Sequence, residues 1–149
     1  MYSHILIASD GSALAGKGLD AGLALAAALK AKATLVTVSD PWQAMMAAEP
    51  SALAMDAEVR EEQRRQKEAQ ARAILEEGRE RAALAGVALE TVYVPERLVD
   101  EAILETASQV GADLIVMASH GHRGLRKLLL GSQTQSVVTR SPLPVLVVR

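Results

Sequence analysis

The sequence predicts an α/β fold, a mostly parallel sheet with helices on both faces. Three observations lead there. Short β-branched apolar runs alternate with longer Ala- and Leu-rich segments along the chain, and such alternation builds parallel sheets through crossover helices. The runs HILIAS, ATLVTVS and ADLIVMA are apolar almost throughout rather than at every second residue, the pattern of strands covered on both sides. Half of the 149 residues are hydrophobic, enough for one sizeable core in a single domain over residues 1–149.

Taken in order, residues 4–9 read as the first strand, closed by Asp10, Gly11 and Ser12. Ala13–Leu29 reads as a helix and residues 33–39 as the second strand. Residues 40–50 form a loop carrying Trp42, Met45, Met46 and Pro50, a surface that either covers the core or meets a partner. Residues 51–84 read as a long helix with a solvated outer face, with Ser51 as its cap. Glu58, Glu61 and Glu62 lie near its start, and Arg79 and Arg81 near its end, as the helix dipole favours. Gly86 stops it. Leu89–Val94 is the third strand, residues 98–110 the next helix, ended by Gly111, and residues 112–118 the fourth strand. Residues 119–131 form a loop, partly helical at 125–130. Ser132–Arg140 is a short helix and Val145–Val148 the last strand.

Composition narrows the function. Phe is absent and aromatics make up 2%, so the core is aliphatic and stacking platforms for bases are lacking. A net charge of −2 argues against bulk attraction to DNA, RNA or an anionic membrane. There is no Cys, hence no disulfide, thiolate metal site or Cys nucleophile. The opening MYSHILIASDGS has too short an apolar run for a signal peptide, and no stretch approaches the roughly 20 apolar residues of a membrane span. A cytoplasmic location is expected. The three histidines lack metal-ligand spacing; His4 reads as a partly buried structural residue.

Open α/β sheets bind ligands beyond the carboxyl ends of their strands. Two strand ends carry unusual residues here: Asp10-Gly11-Ser12, and Ala118-Ser119-His120-Gly121. The second opens MASHGHRGLRKLLLGSQTQSVV. In it Gly121, Gly124 and Gly131 allow close backbone approach, Gly131-Ser132 begins a helix whose first amides suit an anion, and His122, Arg123, Arg126 and Lys127 add charge. Together they suit a phosphate, although a flexible loop with solvated charges is the plainer reading. Asp10 is either a ligand contact or the cap of the first helix. Glu61-Glu62 and Glu76-Glu77 read as solvated helix charges. Neither the G-K-(S/T) of a P-loop nor a G-x-S-x-G elbow is present, and no catalytic residue is assigned.

The stretch resembles the universal stress protein signature, G-x2-G-x9-G-(S/T), aligned on Ala118, Gly121, Gly131 and Ser132. ILIASDGS, GADLIVMASHG and SPLPVLVVR are also similar to segments of that family. The resemblance implies an adenine-nucleotide alpha-hydrolase-like fold with one open five-stranded parallel sheet of order 3-2-1-4-5. It implies bound ATP, or AMP or ADP, with Mg2+ held mainly by the phosphates. Asp10 would sit by the adenine, Val38 would line its pocket, and Met117 and Ala118 would lie under the adenosine. His120 and Gly121 would approach ribose and phosphates, Arg123 would add charge, and Gly131, Ser132, Gln133 and Thr134 would hold phosphate through amides and hydroxyls. The function implied is an ATP-dependent regulatory or stress-tolerance factor, with a slow ATPase and an ATP-free dimerisation module as alternatives. That strand order leaves Val145–Val148 on an edge, which an apolar strand protects by pairing; a homodimer through it is expected. Ala118 departs from the signature glycine. A left-handed backbone there would cost about 1–2 kcal/mol, whereas a need for room alone would admit the methyl.

Overall fold

The structure, a computed structural model, describes residues 1–41, 57–121 and 130–149. Residues 42–56 and 122–129 lie outside the described residues, and with them Trp42, Met45, Met46, Pro50, the cap expected at Ser51, and His122, Arg123, Gly124, Arg126 and Lys127.

The elements run β1 (His4–Ala8), α1 (Ala13–Leu29), β2 (Lys32–Val38), α2 (Ala57–Ala85), β3 (Leu89–Val94), α3 (Val99–Val110), β4 (Leu114–Ala118), α4 (Ser132–Arg140) and β5 (Val145–Val148). The five strands form one sheet of order β3-β2-β1-β4-β5, parallel at every pairing. This is the expected order, and it makes β1 and β4 neighbours.

Side chains alternate between faces along a strand, and the core divides accordingly. Ile5, Ile7, Leu35 and Val116 pack under α1 and α2, through Leu19, Leu23, Leu75 and Ala82. Leu6, Val36, Ile115 and Met117 pack under α3 and α4, through Ile103, Ala107 and Val137. Gly22 and Gly78 bring their helices close to the sheet. A Cβ at Gly22 would lie 2.7 Å from Cδ1 of Ile7, and one at Gly78 would collide with Leu35.

α2 has a strongly charged surface, and its buried residues Ala71, Leu75, Gly78 and Ala82 fall at helical spacing along one stripe. The dipole role expected for Arg79 and Arg81 is not what the structure shows, because no basic residue lies in the last turn. Arg81 instead reaches Asp20 on α1 at 2.8 Å, and Arg79 donates to Thr91 on β3 at 2.5 Å. Both long side chains tie α2 to its neighbours. β4 begins at Leu114 rather than at residue 112, because Asp113 is occupied at the start of β1. Its carboxylate accepts from the Ser3 amide at 2.8 Å, the Ser3 hydroxyl at 2.7 Å and the His4 amide at 3.1 Å. His4 is partly buried, its Nε2 lying 2.8 Å from the Thr34 hydroxyl.

Candidate functional site

The strands end unevenly. The β1–β2 ladder stops at Ala8 opposite Val36, while β2 continues to Val38 and pairs with β3 as far as Val94. β2 therefore overhangs β1, and a crevice of about 280 Å³ opens above the carboxyl ends of β1, β2 and β4. Its lining includes an apolar wall of Val36, Val38, Val99, Ile103 and Met117, which pack in one core cluster. It also includes Gly121, Gly131, Ser132, Gln133 and Thr134. Asp10 lies on the lining with them, as do Ala118 and His120. The topology thus gathers every expected site residue among those described; Arg123 lies outside them.

At the end of β1 the chain turns sharply. Gly11 has φ +79°, and a Cβ there would also meet Ile74 of α2 at 2.8 Å, so glycine is required on both counts. Asp10 does not cap α1. Ser12 does, its hydroxyl accepting from the Ala15 amide at 3.2 Å. Asp10 Oδ1 accepts from the Ser12 amide at 3.0 Å, which fixes the carboxylate at the crevice. Gly121 makes room for it: a Cβ at that position would lie 3.2 Å from Asp10 Cγ and overlap Oδ2.

At the start of α4, the Gly131 amide donates to the Ser119 carbonyl at 2.8 Å, and the Ser119 amide to the Val148 carbonyl at 2.7 Å. Gly131, the N-cap, has no side chain to cap α4, and Ser132 and Gln133 of its first turn, whose amides lack helical acceptors, line the crevice. The Thr134 hydroxyl differs from expectation. It is buried and donates to the Ala118 carbonyl at 2.9 Å; its single proton is spent on the scaffold and is not available to a phosphate. Ala118 itself is extended strand paired with Val148 and is absent from the positive-φ positions, so its methyl carries no left-handed penalty.

Sequence reasoning missed the wall that α2 supplies, Lys67, Gln70, Ala71 and Ile74. The stripe Ala71, Leu75, Gly78 and Ala82 was the available signal, since extending it by one turn reaches Lys67. Lys67 Nζ lies 3.5 Å from the Asp40 carbonyl. Ser39 and Tyr93 were missed as well. Their hydroxyls are 3.0 Å apart, and Ser39 Oγ accepts from the amide of Glu96 at 3.1 Å, holding that residue at φ +51°.

Residues 1–149 match the universal stress protein family over their full extent. The chain belongs to that family. Among universal stress proteins it is 33% identical over 149 residues to YxiE of Bacillus subtilis, covering all of both chains. Its fold is similar to that of MJ0577 of Methanocaldococcus jannaschii, with a TM-score of 0.80 at 28% identity, covering 99% of this chain and 96% of that one. It is similar also to a universal stress protein solved in complex with cAMP, with a TM-score of 0.70 at 28% identity, covering 99% and 97%. Among the described residues no helix is long and apolar enough to cross a membrane, and no group of three or more His, Asp or Glu could hold a metal ion.

Proposed function

We propose that this universal stress protein binds ATP in the crevice and acts as a nucleotide-dependent regulatory or stress-tolerance factor. One observation carries the reading: one crevice is lined both by an apolar wall and by the start of a helix whose N-cap glycine has no side chain. Those are the two needs of a nucleotide, burial of a flat ring and amides for its phosphates. The relative bound to cAMP supports an adenine nucleotide as the ligand.

On this reading the base lies against Val38 and Met117, with Ala118 beneath the adenosine and the Asp10 carboxylate accepting from base or ribose. His120 and Gly121 flank the ribose and phosphates. Gly131, Ser132 and Gln133 hold phosphate through amides and the Ser132 hydroxyl, while Thr134 anchors the turn that presents them. Arg123 adds charge, and Mg2+ is held mainly by the phosphates. Mass spectrometry of the purified protein is expected to detect adenine nucleotide. Titration calorimetry should give a dissociation constant in the micromolar range, roughly −8 kcal/mol, with residues 120–131 protected from hydrogen exchange. No binding at millimolar ATP would refute it.

The same proposal includes a homodimer through β5. Ile115 and Ser119 donate to the carbonyls of Pro144 and Val148. By the alternation of a parallel ladder, Val145 and Val147 turn their own N–H and C=O to the open edge. Leu146 is 40% exposed. An antiparallel copy about a two-fold axis would satisfy both edges.

A further inference from the structure

α4 has nine residues, too few to hold a helix unaided. Its angle is set by what grips it. On the inner side Thr134 donates to the Ala118 carbonyl and Val137 is fully buried. On the flank the grip comes from Asp100, in the first turn of α3. Its Oδ2 accepts from the Ser136 hydroxyl at 2.5 Å and from the Arg140 guanidinium at 2.6 Å. Ser136 and Arg140 are four residues apart, so one carboxylate clasps two successive turns of α4. The second guanidinium nitrogen of Arg140 reaches Glu101 at 3.7 Å. The Asp100 side chain is only 14% exposed, and such charge-assisted bonds are about twice as strong as neutral ones. Burial pushes the Asp100 carboxyl up, but the Ser136 hydroxyl, the Glu101 amide and Arg140 outweigh it and hold the group below the usual carboxylate range.

We infer that Asp100 is a positioning residue of the crevice: through Ser136 and Arg140 it sets the angle at which the first turn of α4 offers the Ser132 and Gln133 amides to phosphate. The inference rests on the nucleotide reading above. It also links two parts of the crevice lining. Val99, next to Asp100, and Ile103, one turn on, belong to its apolar wall. One turn of α3 therefore contributes to that wall and grips the helix that carries Ser132 and Gln133.

The test compares two ligands on the full chain by titration calorimetry: ATP, and adenosine, which has the base and ribose but no phosphate. Asp100→Ala is expected to weaken ATP about tenfold through the loss of both charge-assisted bonds to α4, while adenosine binds as to the wild type. Asp100→Asn keeps an oxygen for Ser136 but no charge for Arg140 and is expected to fall between. ATP and adenosine weakened in parallel would mean that Asp100 serves only the fold, and an ATP affinity left unchanged would mean that α4 needs no such grip; either overturns the inference. Should Asp100→Ala fail to fold, the double substitution Ser136→Ala and Arg140→Ala cuts the same bonds from α4. ATP is then expected to weaken by a similar factor, about tenfold, with adenosine unchanged, and the same two outcomes overturn the idea. A wild type that binds ATP while these variants match it defeats the positioning role alone. A wild type that binds neither ligand defeats the nucleotide reading, and this inference with it.

Discussion

Gly121→Ala tests how the crevice is packed, because the structure makes its cost depend on one other residue. The new Cβ would lie 3.2 Å from Asp10 Cγ and overlap Oδ2. The carboxylate must rotate away, and in doing so it gives up the 3.0 Å bond from the Ser12 amide. A bond to a charged acceptor contributes about 1.5–3 kcal/mol, but rotation lets water replace part of it, and about 1–2 kcal/mol is the expected loss. For a chain of this length that lowers Tm by roughly 2–8 °C. Asp10→Ala removes the obstacle together with the bond. In the Asp10→Ala background Gly121→Ala should then cost almost nothing, leaving a coupling of about 1–2 kcal/mol between the sites. Urea denaturation of the wild type, both single variants and the double variant measures it. Effects that add to within about 0.5 kcal/mol would refute the claim that Gly121 exists to admit Asp10. ATP affinity in Gly121→Ala should fall, since the displaced carboxylate lines the crevice and is the one proposed to accept from base or ribose.

The remaining predictions concern the phosphate end, acid and assembly. Gly131→Val places a branched side chain where even a Cβ lies 3.2 Å from the Ser119 carbonyl oxygen and 3.5 Å from His120 Cα; ATP binding should be lost with the far-ultraviolet circular dichroism unchanged, and wild-type affinity would rule out the phosphate assignment. Asp100 and Asp113 are both held below the ordinary carboxylate range, against the push of burial, by Ser136, the Glu101 amide and Arg140 in one case and by Ser3 and the His4 amide in the other. A depressed carboxyl stabilises the fold above its unfolded pKa of about 4 and loses that contribution as pH falls through the lower folded value. Stability should therefore drop below about pH 4, and less steeply in Asp113→Asn; an identical acid slope would contradict the assignment. Val147→Lys or Val147→Pro should shift the protein toward monomer in light scattering, and a monomeric wild type at micromolar concentration would remove the β5 interface.

The strands were legible because each is a compact apolar run, and β3, α1, α4 and β5 fall where the sequence put them. What was misread depended on contacts from far along the chain. Residues 112 and 113 look like strand by composition, but Asp113 is drawn off to cap the start of β1. Arg79 and Arg81 look like dipole partners, yet each finds a bond across a helix–helix or helix–strand contact. In the site, the strand ends and glycines stood out because Gly and Asp interrupt apolar runs. Lys67 and Gln70 did not, since on a helix this charged nothing in the local pattern separates a residue facing a crevice from one facing water. The Thr134 hydroxyl was misread for a related reason: a hydroxyl at a helix start suits phosphate, and only the packing of α4 on β4 shows that its proton goes to Ala118.

The three glycine positions of the family signature are not equivalent here. The first needs no glycine, because Ala118 is the last residue of an extended strand, paired with Val148. The second needs the absence of a Cβ so that a carboxylate can enter from β1. The third needs it so that the start of α4 can lie against the backbone at Ser119 and His120, where the Gly131 amide is already bonded. A loop rich in glycine suggests freedom, but at both positions that require glycine the requirement is closeness. The described ends of the loop are packed against Asp10, Ser119 and β5, and Thr134 and Asp100 fix the helix that follows. Donors held in place before a ligand arrives lose little entropy when it binds. The departure at Ala118 carries no backbone penalty.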